Sequence, residues 1–596
     1  MQDSVMPRLV EGQQSDSLAK LPQRNADNAP QRVAFSIKEH GSWRDVTTSQ
    51  FLIEARALAK GFIASGIEEG DRIAIMARTR YEWTLVDFAS WMAAAVPVPI
   101  YETSSADQVE WIVADSGAKA LVVETAAHAQ TAASVADGMP TLKHTWVMDN
   151  GDLASVSEAG ASVEDSDLDD RIAATSRDSL ATIIYTSGTT GRPKGCELTH
   201  ENFLGLAENA TAKMEDVVKR EGASTLLFLP LAHVFARFIE VLCVSAEAKM
   251  GHSADIANIL EDFQAFQPTF ILAVPRVFEK IYNKANETAT ADGKGKIFAK
   301  AADTAIAYSE ALDKGSVPFG LKLKHGVFDK LVYSKLRTKM GGKVQYAVSG
   351  GAPLGTRLGH FFRGIGVTIL EGYGLTETTA PATVNTPDKV KIGTVGAPLP
   401  GVSLRIGEDG EILIKGLNVL RGYRGNEEAT NESIVDGWFH TGDIGELDED
   451  GYLKITGRKK EILVTAGGKN VAPAILEDRL RAHPLISQCM VVGDGKPFIA
   501  ALVTIDEEML PGWASNNGLG AITVEEARTN QTVLDEIQHA VDDANKAVSK
   551  AESIRKFSVL DEDFTEENGT LTPSMKLKRN IIMRDFEDEV ESLYGS

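Results

Sequence analysis

Short apolar, β-branched runs recur along this chain between longer stretches of helical period, and no other feature restricts its possible folds so much. The runs are RIAIMA from Arg72, ALVVE from Ala120, LATIIYT from Leu180, TLLFLP from Thr225, FILAVP from Phe270, VQYAVS from Val344 and VTILEGYG from Val367. Stretches such as FLIEARALAKGFIASG from Phe51, closed by Gly66, predict helices between them. Alternation of this kind means parallel sheet covered by helices, with a crevice for a site at the carboxyl ends of the strands. After about residue 392 the texture changes: Asp409-Gly410, Asp436-Gly437 and Asp450-Gly451 are hairpin turn pairs and predict an antiparallel, barrel-like part. From Gly457 the pattern returns to mixed α/β, with a helical run, VLDEIQHAVDDANKAVSK, from Val533. The acidic stretch DNGDLASVSEAGASVEDSDLDDR from Asp149 reads as a surface loop. At 596 residues the chain outgrows a single hydrophobic core. The expectation is an α/β protein: a large N-terminal domain of layered α/β sheets with a small β-barrel-like part, then a smaller α+β C-terminal domain.

Charge and cysteine usage narrow the function. The formal net charge of −23 repels phosphate backbones and argues against nucleic acid as partner. Cys196, Cys243 and Cys489 are odd in number and lie far apart, so neither a disulfide framework nor a zinc ribbon is expected, and a reducing, cytoplasmic compartment is the simplest reading. No secretory signal is read at the N-terminus, and the longest apolar candidate, WMAAAVPVPI from Trp91, is too short to span a membrane.

Directly after the LATII run comes YTSGTTGRPKG, Tyr185 to Gly195. Thr186, Ser187, Gly188, Thr189, Thr190 and Gly191 let backbone N–H groups and hydroxyls converge on an anion, and Lys194 adds a compact positive charge. This is a candidate phosphate cradle, although a Gly/Ser/Thr run taken alone is more often a flexible loop. It is not the kinase and GTPase P-loop, because no Gly-Lys pair in the chain is followed by Ser or Thr. The string resembles the signature loop of the adenylate-forming superfamily, which comprises acyl-CoA synthetases, beetle luciferases and the adenylation domains of peptide synthetases. Further stretches resemble that family's later motifs in the same order.

The resemblance implies a role for each of these stretches. SGGAPL from Ser349 is similar to the segment that lines the adenine pocket, which puts Gly351, Ala352 and Pro353 there. EGYGLTET from Glu371 is similar to the next core motif: Tyr373 stacks on adenine, Thr376 bonds phosphate and Glu377 offers Mg²⁺ a hard oxygen. HTGDIGELDEDGYLKITGRKKEIL from His440 is similar to the ribose and hinge segment, with Asp443 on the ribose hydroxyls, Arg458 beside it and Lys460 at the hinge. That hinge sets the expected division at 1–458 for adenylation and 459–596 for a mobile C-terminal domain. Gly467 and Gly468 of TAGGKNVAPAILE fall in the loop that helps form the pantetheine tunnel. In ENGTLTPSMKLKRNII the catalytic lysine aligns with Lys576, although Met575 stands where the family has glycine, and Lys578 and Arg579 are close competitors. His233, in FLPLAHVFAR, falls where relatives have an aromatic residue that gates or lines the acyl site; a satisfied core histidine is the equal alternative.

The implied reaction joins a carboxylate to the α-phosphorus of ATP, with Mg²⁺, and then passes the acyl group to coenzyme A. The resemblance is closest to bacterial long-chain fatty acid CoA ligases, on VPRVFEKIYN from Val274, LAHVFAR, the GGKNVAP loop and GDGKPFIAALV from Gly493. A ligase loading a carrier protein and a non-catalytic lipid or nucleotide binder remain as alternatives. Finally, FGLKLKHGVFDKLVYSKLRTKMGGK, residues 319–343, holds seven Lys/Arg and one Asp, with Leu321, Phe328, Leu331, Val332 and Leu336 interleaved. It reads either as a half-buried helix with a solvated charged face or as a basic amphipathic helix resting on an anionic inner membrane face.

Overall fold

The computed structural model describes residues 2–39, 41–186, 192–254, 258–572 and 575–595. All seven apolar runs form strands. Arg72–Met76, Ala120–Val123 and His144–Val147 lie parallel in one sheet, and Val96–Ile100 pairs at its edge. An edge position accommodates Pro97 and Pro99, which cannot donate to a ladder on both sides. Phe270–Ala273, Tyr346–Ser349 and Thr368–Leu375 run parallel in a second sheet, extended antiparallel by Ala380–Val384 and Ala397–Pro398. A third sheet orders Ser224–Leu227, Lys249–His252, Val33–Glu39 and Ser42–Thr47.

Leu180–Thr186 departs from the parallel expectation. It pairs antiparallel with Lys194–Thr199, which pairs in turn with Gly422–Tyr423. Only residues 187–193 connect the first two strands, and a parallel crossover needs a dozen or more. Leu180–Thr186 and Lys194–Thr199 are therefore the two arms of a hairpin.

The acidic stretch from Asp149 is also not a loop. It folds as the helices Asp152–Ala159 and Asp165–Ala174 because Leu153, Val156 and Leu168 are buried among its carboxylates. Their spacing is helical, and burial of one face outweighs the polar composition.

All three Asp-Gly pairs turn hairpins. The resulting antiparallel sheet orders Gln2–Val5, Val402–Ile406, Glu411–Gly416 and Trp438–Leu447, with Ile434–Val435 and Leu453–Arg458 both on the last strand. Beyond it, Ile486–Val492, Ile499–Ile505 and Ile554–Val559 form a separate sheet packed by the helices Pro473–Arg481 and Gln531–Asn545. The main apolar core runs from Leu18 to Leu453, and a distinct core from Val471 to Val559. The architecture is thus a large N-terminal and a smaller C-terminal α/β part. No described helix is long and apolar enough to cross a membrane.

Inside the large part, Arg237 grips Asp87 with three hydrogen bonds, Nη2 to Oδ1 and to Oδ2 at 2.8 Å each and Nε to Oδ2 at 3.0 Å, and donates to the Thr182 hydroxyl at 2.5 Å. Glu240, fully buried next to them, has its pKa pushed well above the usual carboxylate range by burial first and the Asp87 charge second. Unfolded, this carboxyl ionises near its ordinary value; folded, it keeps its proton. Its contribution to stability is complete below the unfolded pKa and declines as pH rises above it. Glu240→Gln, which is neutral throughout, should therefore gain stability over the native chain as pH rises above the ordinary carboxylate range, by at most ~1.4 kcal/mol per pH unit. Parallel denaturation midpoints for the two proteins over that rise would contradict a protonated Glu240.

Candidate active site

The strand Thr368–Leu375 delivers Tyr373 and ends in a single 3₁₀ turn, Thr376–Thr378, that carries Glu377. The chain then reverses through two consecutive left-handed residues, Thr379 (φ 54°) and Ala380 (φ 71°). Such backbone costs on the order of 1–3 kcal/mol per non-glycine residue and persists only where neighbours enforce it. Here the Thr379 hydroxyl donates to the Asn418 carbonyl at 2.8 Å, and the Leu420 N–H donates to the Glu377 carbonyl at 2.8 Å. Gly374 makes the reversal possible, since a Cβ there would lie 1.5 Å from the Ala380 carbonyl oxygen.

Two chains of contacts meet around this turn. In the first, the buried Tyr373 hydroxyl donates to Asp443 Oδ2 at 2.6 Å, and Arg458 Nε donates to Asp443 Oδ1 at 2.8 Å. Asp443 and Arg458 are register partners on neighbouring strands, so the antiparallel ladder itself sets this pair. Each carboxylate oxygen keeps a lone pair for a further donor. In the second, Tyr423 donates to Glu377 Oε1 at 3.1 Å while the Lys194 ammonium lies 5.1 Å from the Tyr423 ring centroid. Lys194 faces Thr186 across the hairpin. Ser187, Gly188, Thr189, Thr190 and Gly191 lie outside the described residues.

Lys576 joins the two chains. It is solvent-accessible, yet its ammonium lies within the electrostatic influence of Glu377 from one chain and of Asp443 and Arg458 from the other. Desolvation first, then the Arg458 charge, lowers its pKa; Glu377, Asp443 and Glu461 oppose the shift. One competitor is engaged elsewhere: Arg579 pairs with Glu477 at 2.5 Å and approaches Glu461 at 3.6 Å, pinning the tail. The turn that presents Lys576 is closed by Thr572 N–H donating to the Lys576 carbonyl at 2.8 Å and Lys576 N–H donating to the Thr572 hydroxyl at 3.0 Å. Met575 in this turn has φ 61°, a backbone that glycine adopts without strain and methionine does not.

His233 caps the helix Val234–Ala246, its Nδ1 accepting from the Phe235 N–H at 3.2 Å. Burial, followed by the charge of Lys576, lowers its pKa to about 4, so the imidazole is neutral at physiological pH. Phe235 packs beside Gly350, at the start of the SGGAPL loop. Gly351, Ala352 and Pro353 are exposed in that loop at the carboxyl end of a parallel strand, and the next residue, Leu354, donates its N–H to Glu371 at 3.1 Å. Burial pushes the Glu371 pKa up to about 7.

The structure therefore brings together Thr376, Glu377, Tyr373, Asp443, Arg458, Lys194, Thr186, His233 and Lys576, drawn from both the large N-terminal part and the C-terminal tail. Gly467 and Gly468 are placed apart, at the exposed tip of the hairpin Leu463–Val464 and Asn470–Val471. The backbone of that hairpin bonds to Gly495 and Lys496. Sequence reasoning passed over Tyr423 and Glu371. The aromatic of RGY in 421–423 carries no pattern of its own, and Glu371 is the first letter of a motif whose later letters drew the attention.

Among the described residues, Glu377 has the chemistry to hold a divalent cation. No group of three or more His, Cys, Asp or Glu side chains among the described residues could cage a metal. Glu377 makes no ion pair with a described residue and uses one oxygen for Tyr423. A single free carboxylate suits Mg²⁺, which takes few protein ligands and completes its shell with phosphate and water oxygens.

Fold and cluster together describe a two-part enzyme that handles an adenine nucleotide, and family comparison agrees. Residues 22–424 match the AMP-binding enzyme family and residues 460–596 the AMP-binding enzyme C-terminal domain; the chain belongs to this family. It is 50% identical over 584 residues to the long-chain-fatty-acid–CoA ligase FadD15 of Mycobacterium tuberculosis, covering 97% of each chain. It is 30% identical to the long-chain-fatty-acid–CoA ligase ACSBG2 of Xenopus laevis, covering 97% of this chain and 84% of that one. Among solved structures, the anthranilate CoA ligase AuaEII in complex with anthranoyl-AMP matches with a TM-score of 0.74 at 18% identity, over 96% of this chain and 98% of that one. A Mycobacterium tuberculosis fatty acyl CoA synthetase matches with a TM-score of 0.61 at 22% identity, over 96% and 99%.

Proposed function

We propose that this chain activates a long-chain fatty acid with ATP and transfers the acyl group to coenzyme A. A fatty acid carboxylate oxygen attacks the α-phosphorus of ATP, the bond from that phosphorus to the bridging oxygen breaks, and pyrophosphate leaves. The thiol of coenzyme A then attacks the acyl carbonyl of the adenylate, losing its proton, and AMP departs with the electron pair of the acyl–oxygen bond. The observation that carries this reading is the convergence of Lys194, Glu377, Asp443 and Lys576, from four distant motifs, around one turn.

The demand in the first step is electrostatic, because two anions must meet in line. Lys576 and Lys194 supply cationic charge to the approaching carboxylate and the phosphates, with Thr186, Thr376 and residues 187–191 as further phosphate donors. Asp443 accepts the ribose hydroxyls while Tyr373 and Arg458 fix its two oxygens, and the Tyr373 ring with Gly351, Ala352 and Pro353 borders the adenine. Mg²⁺ on Glu377 would neutralise phosphate charge when bound. Neutral His233 borders the acyl entrance without adding charge to it.

For the second step the thiol needs the space that Lys576 fills. Residues 459–596, hinged at Lys460, turn away and bring the Gly467–Gly468 hairpin towards the pantetheine arm. The adenylating orientation is held by Arg276 on Asp506 at 2.6 Å, Lys280 on Glu508 at 2.7 Å and Thr103 on Glu566 at 2.6 Å.

Pyrophosphate exchange into ATP, measured over acids from short to long and aromatic, tests the reading. Exchange should be greatest with long-chain acids, followed by acyl transfer to free coenzyme A. Exchange with no acid, or transfer only to a carrier protein, would refute it.

A further inference from the structure

Phe319, Leu323, Val327 and Leu331 are 76%, 58%, 56% and 53% exposed, among the most exposed large apolar side chains in the molecule. Their interval of four residues aligns them as one stripe along the helix Phe319–Phe328 and into the π-turn Asp329–Tyr333. This stripe differs from the apolar set that stands out in the sequence. Phe328, Val332 and Leu336 pack against the main core and Leu321 is half-buried; of that set only Leu331 is exposed.

The segment is firmly seated on its other side. His325 Nε2 bonds the Gly364 carbonyl oxygen at 2.6 Å, and its ring stacks on Tyr308 with centroids 3.9 Å apart. The buried Tyr333 donates to the Ala301 carbonyl at 2.7 Å, and Arg337 donates to Asp329 and to the Ile365 carbonyl, each at 2.7 Å. The stripe is thus the outer face of a docked helix.

Lys322, Lys324, Lys330, Lys335 and Lys339 are all exposed, and none forms an ion pair with a described residue. At about 100° per residue, Lys324 and Lys330 border the stripe directly. Five such lysines thus lie on one segment of a chain whose net charge is −23.

We infer that this stripe and its lysines form a docking surface for an anionic lipid bilayer, with the helix lying in the interface plane. A bilayer satisfies both halves of the surface: apolar side chains enter the acyl boundary while lysine stems run along it and their ammonium groups meet anionic headgroups. A second copy of this chain would press one lysine-rich face against another, and lysine is depleted from protein interface cores. A nucleic acid would engage the lysines and leave the apolar stripe in water. The inference goes beyond the ligase reading and is independent of it, since its test measures binding without turnover.

The full chain should sediment with phosphatidylcholine vesicles containing phosphatidylglycerol, much less with phosphatidylcholine alone, and release as salt is raised. L323Q/V327Q should lose about tenfold or more in partitioning with an unchanged melting temperature, because both side chains are more than half exposed. K324Q/K330Q/K335Q should bind more weakly and with a flatter salt dependence. Since Cys196, Cys243 and Cys489 are buried, Leu323→Cys can carry a single environment-sensitive dye, whose emission should shift to the blue on anionic vesicles. Absence of vesicle binding, equal binding by L323Q/V327Q, an unshifted dye, or a concentration-dependent dimer abolished by L323Q/V327Q would overturn the inference.

Discussion

Lys576→Ala should lower carboxylate-dependent exchange of pyrophosphate into ATP by about 10²–10³-fold, the scale of losing one preorganised charge donor. Conversion of supplied acyl-adenylate and coenzyme A to acyl-CoA should stay within about threefold of the native rate, on the same scale of reasoning. The asymmetry comes from position. Lys576 lies among Glu377, Asp443, Arg458 and His233, where carboxylate and phosphate would meet, and the thiol must take its place afterwards. Arg579 and Lys578 serve as internal controls. Arg579 is committed to Glu477 and Glu461, so its loss should loosen the tail and affect stability before it affects one half-reaction. Equal loss of both half-reactions in Lys576→Ala would contradict the division of labour.

Glu377→Gln is the second large effect expected. The amide keeps the size of the side chain and can still accept from Tyr423, so the 3₁₀ turn and its strained exit should persist with an unchanged melting temperature. What disappears is one negative charge at the place that fits a hard cation. Adenylation turnover should fall by about 10²-fold or more, and the magnesium concentration giving half-maximal exchange should rise. Acyl transfer from supplied adenylate should change far less. A variant with native exchange at every magnesium concentration would remove Glu377 from the metal's coordination.

Much of this fold was legible because strands and hairpin turns announce themselves locally. Seven apolar runs became seven strands, and three Asp-Gly pairs became three hairpins, since side-chain period and left-handed turn preference act within a few residues. Leu180–Thr186 shows the limit: its composition fixes a strand but not the partner, and the short connection made it antiparallel. The acidic helices after Asp149 show another, because three buried side chains outweighed a composition dominated by carboxylates. In the site, residues inside recognisable strings were nameable, whereas Tyr423 and Glu371 matter only through the neighbours packing gives them.

The amino-acid order alone determined the seven apolar strands, the three Asp-Gly turns, and which strings belong to a nucleotide-handling family. Only the tertiary structure decided that Arg579 is committed to Glu477 while Lys576 lies within the electrostatic influence of Glu377 and Asp443, that Tyr373 and Arg458 divide the two oxygens of Asp443, and that Phe319, Leu323, Val327 and Leu331 face outward together. The reason is physical: period and turn preference are set by a residue and its immediate neighbours, while a side chain's surroundings depend on which distant surfaces bury each other.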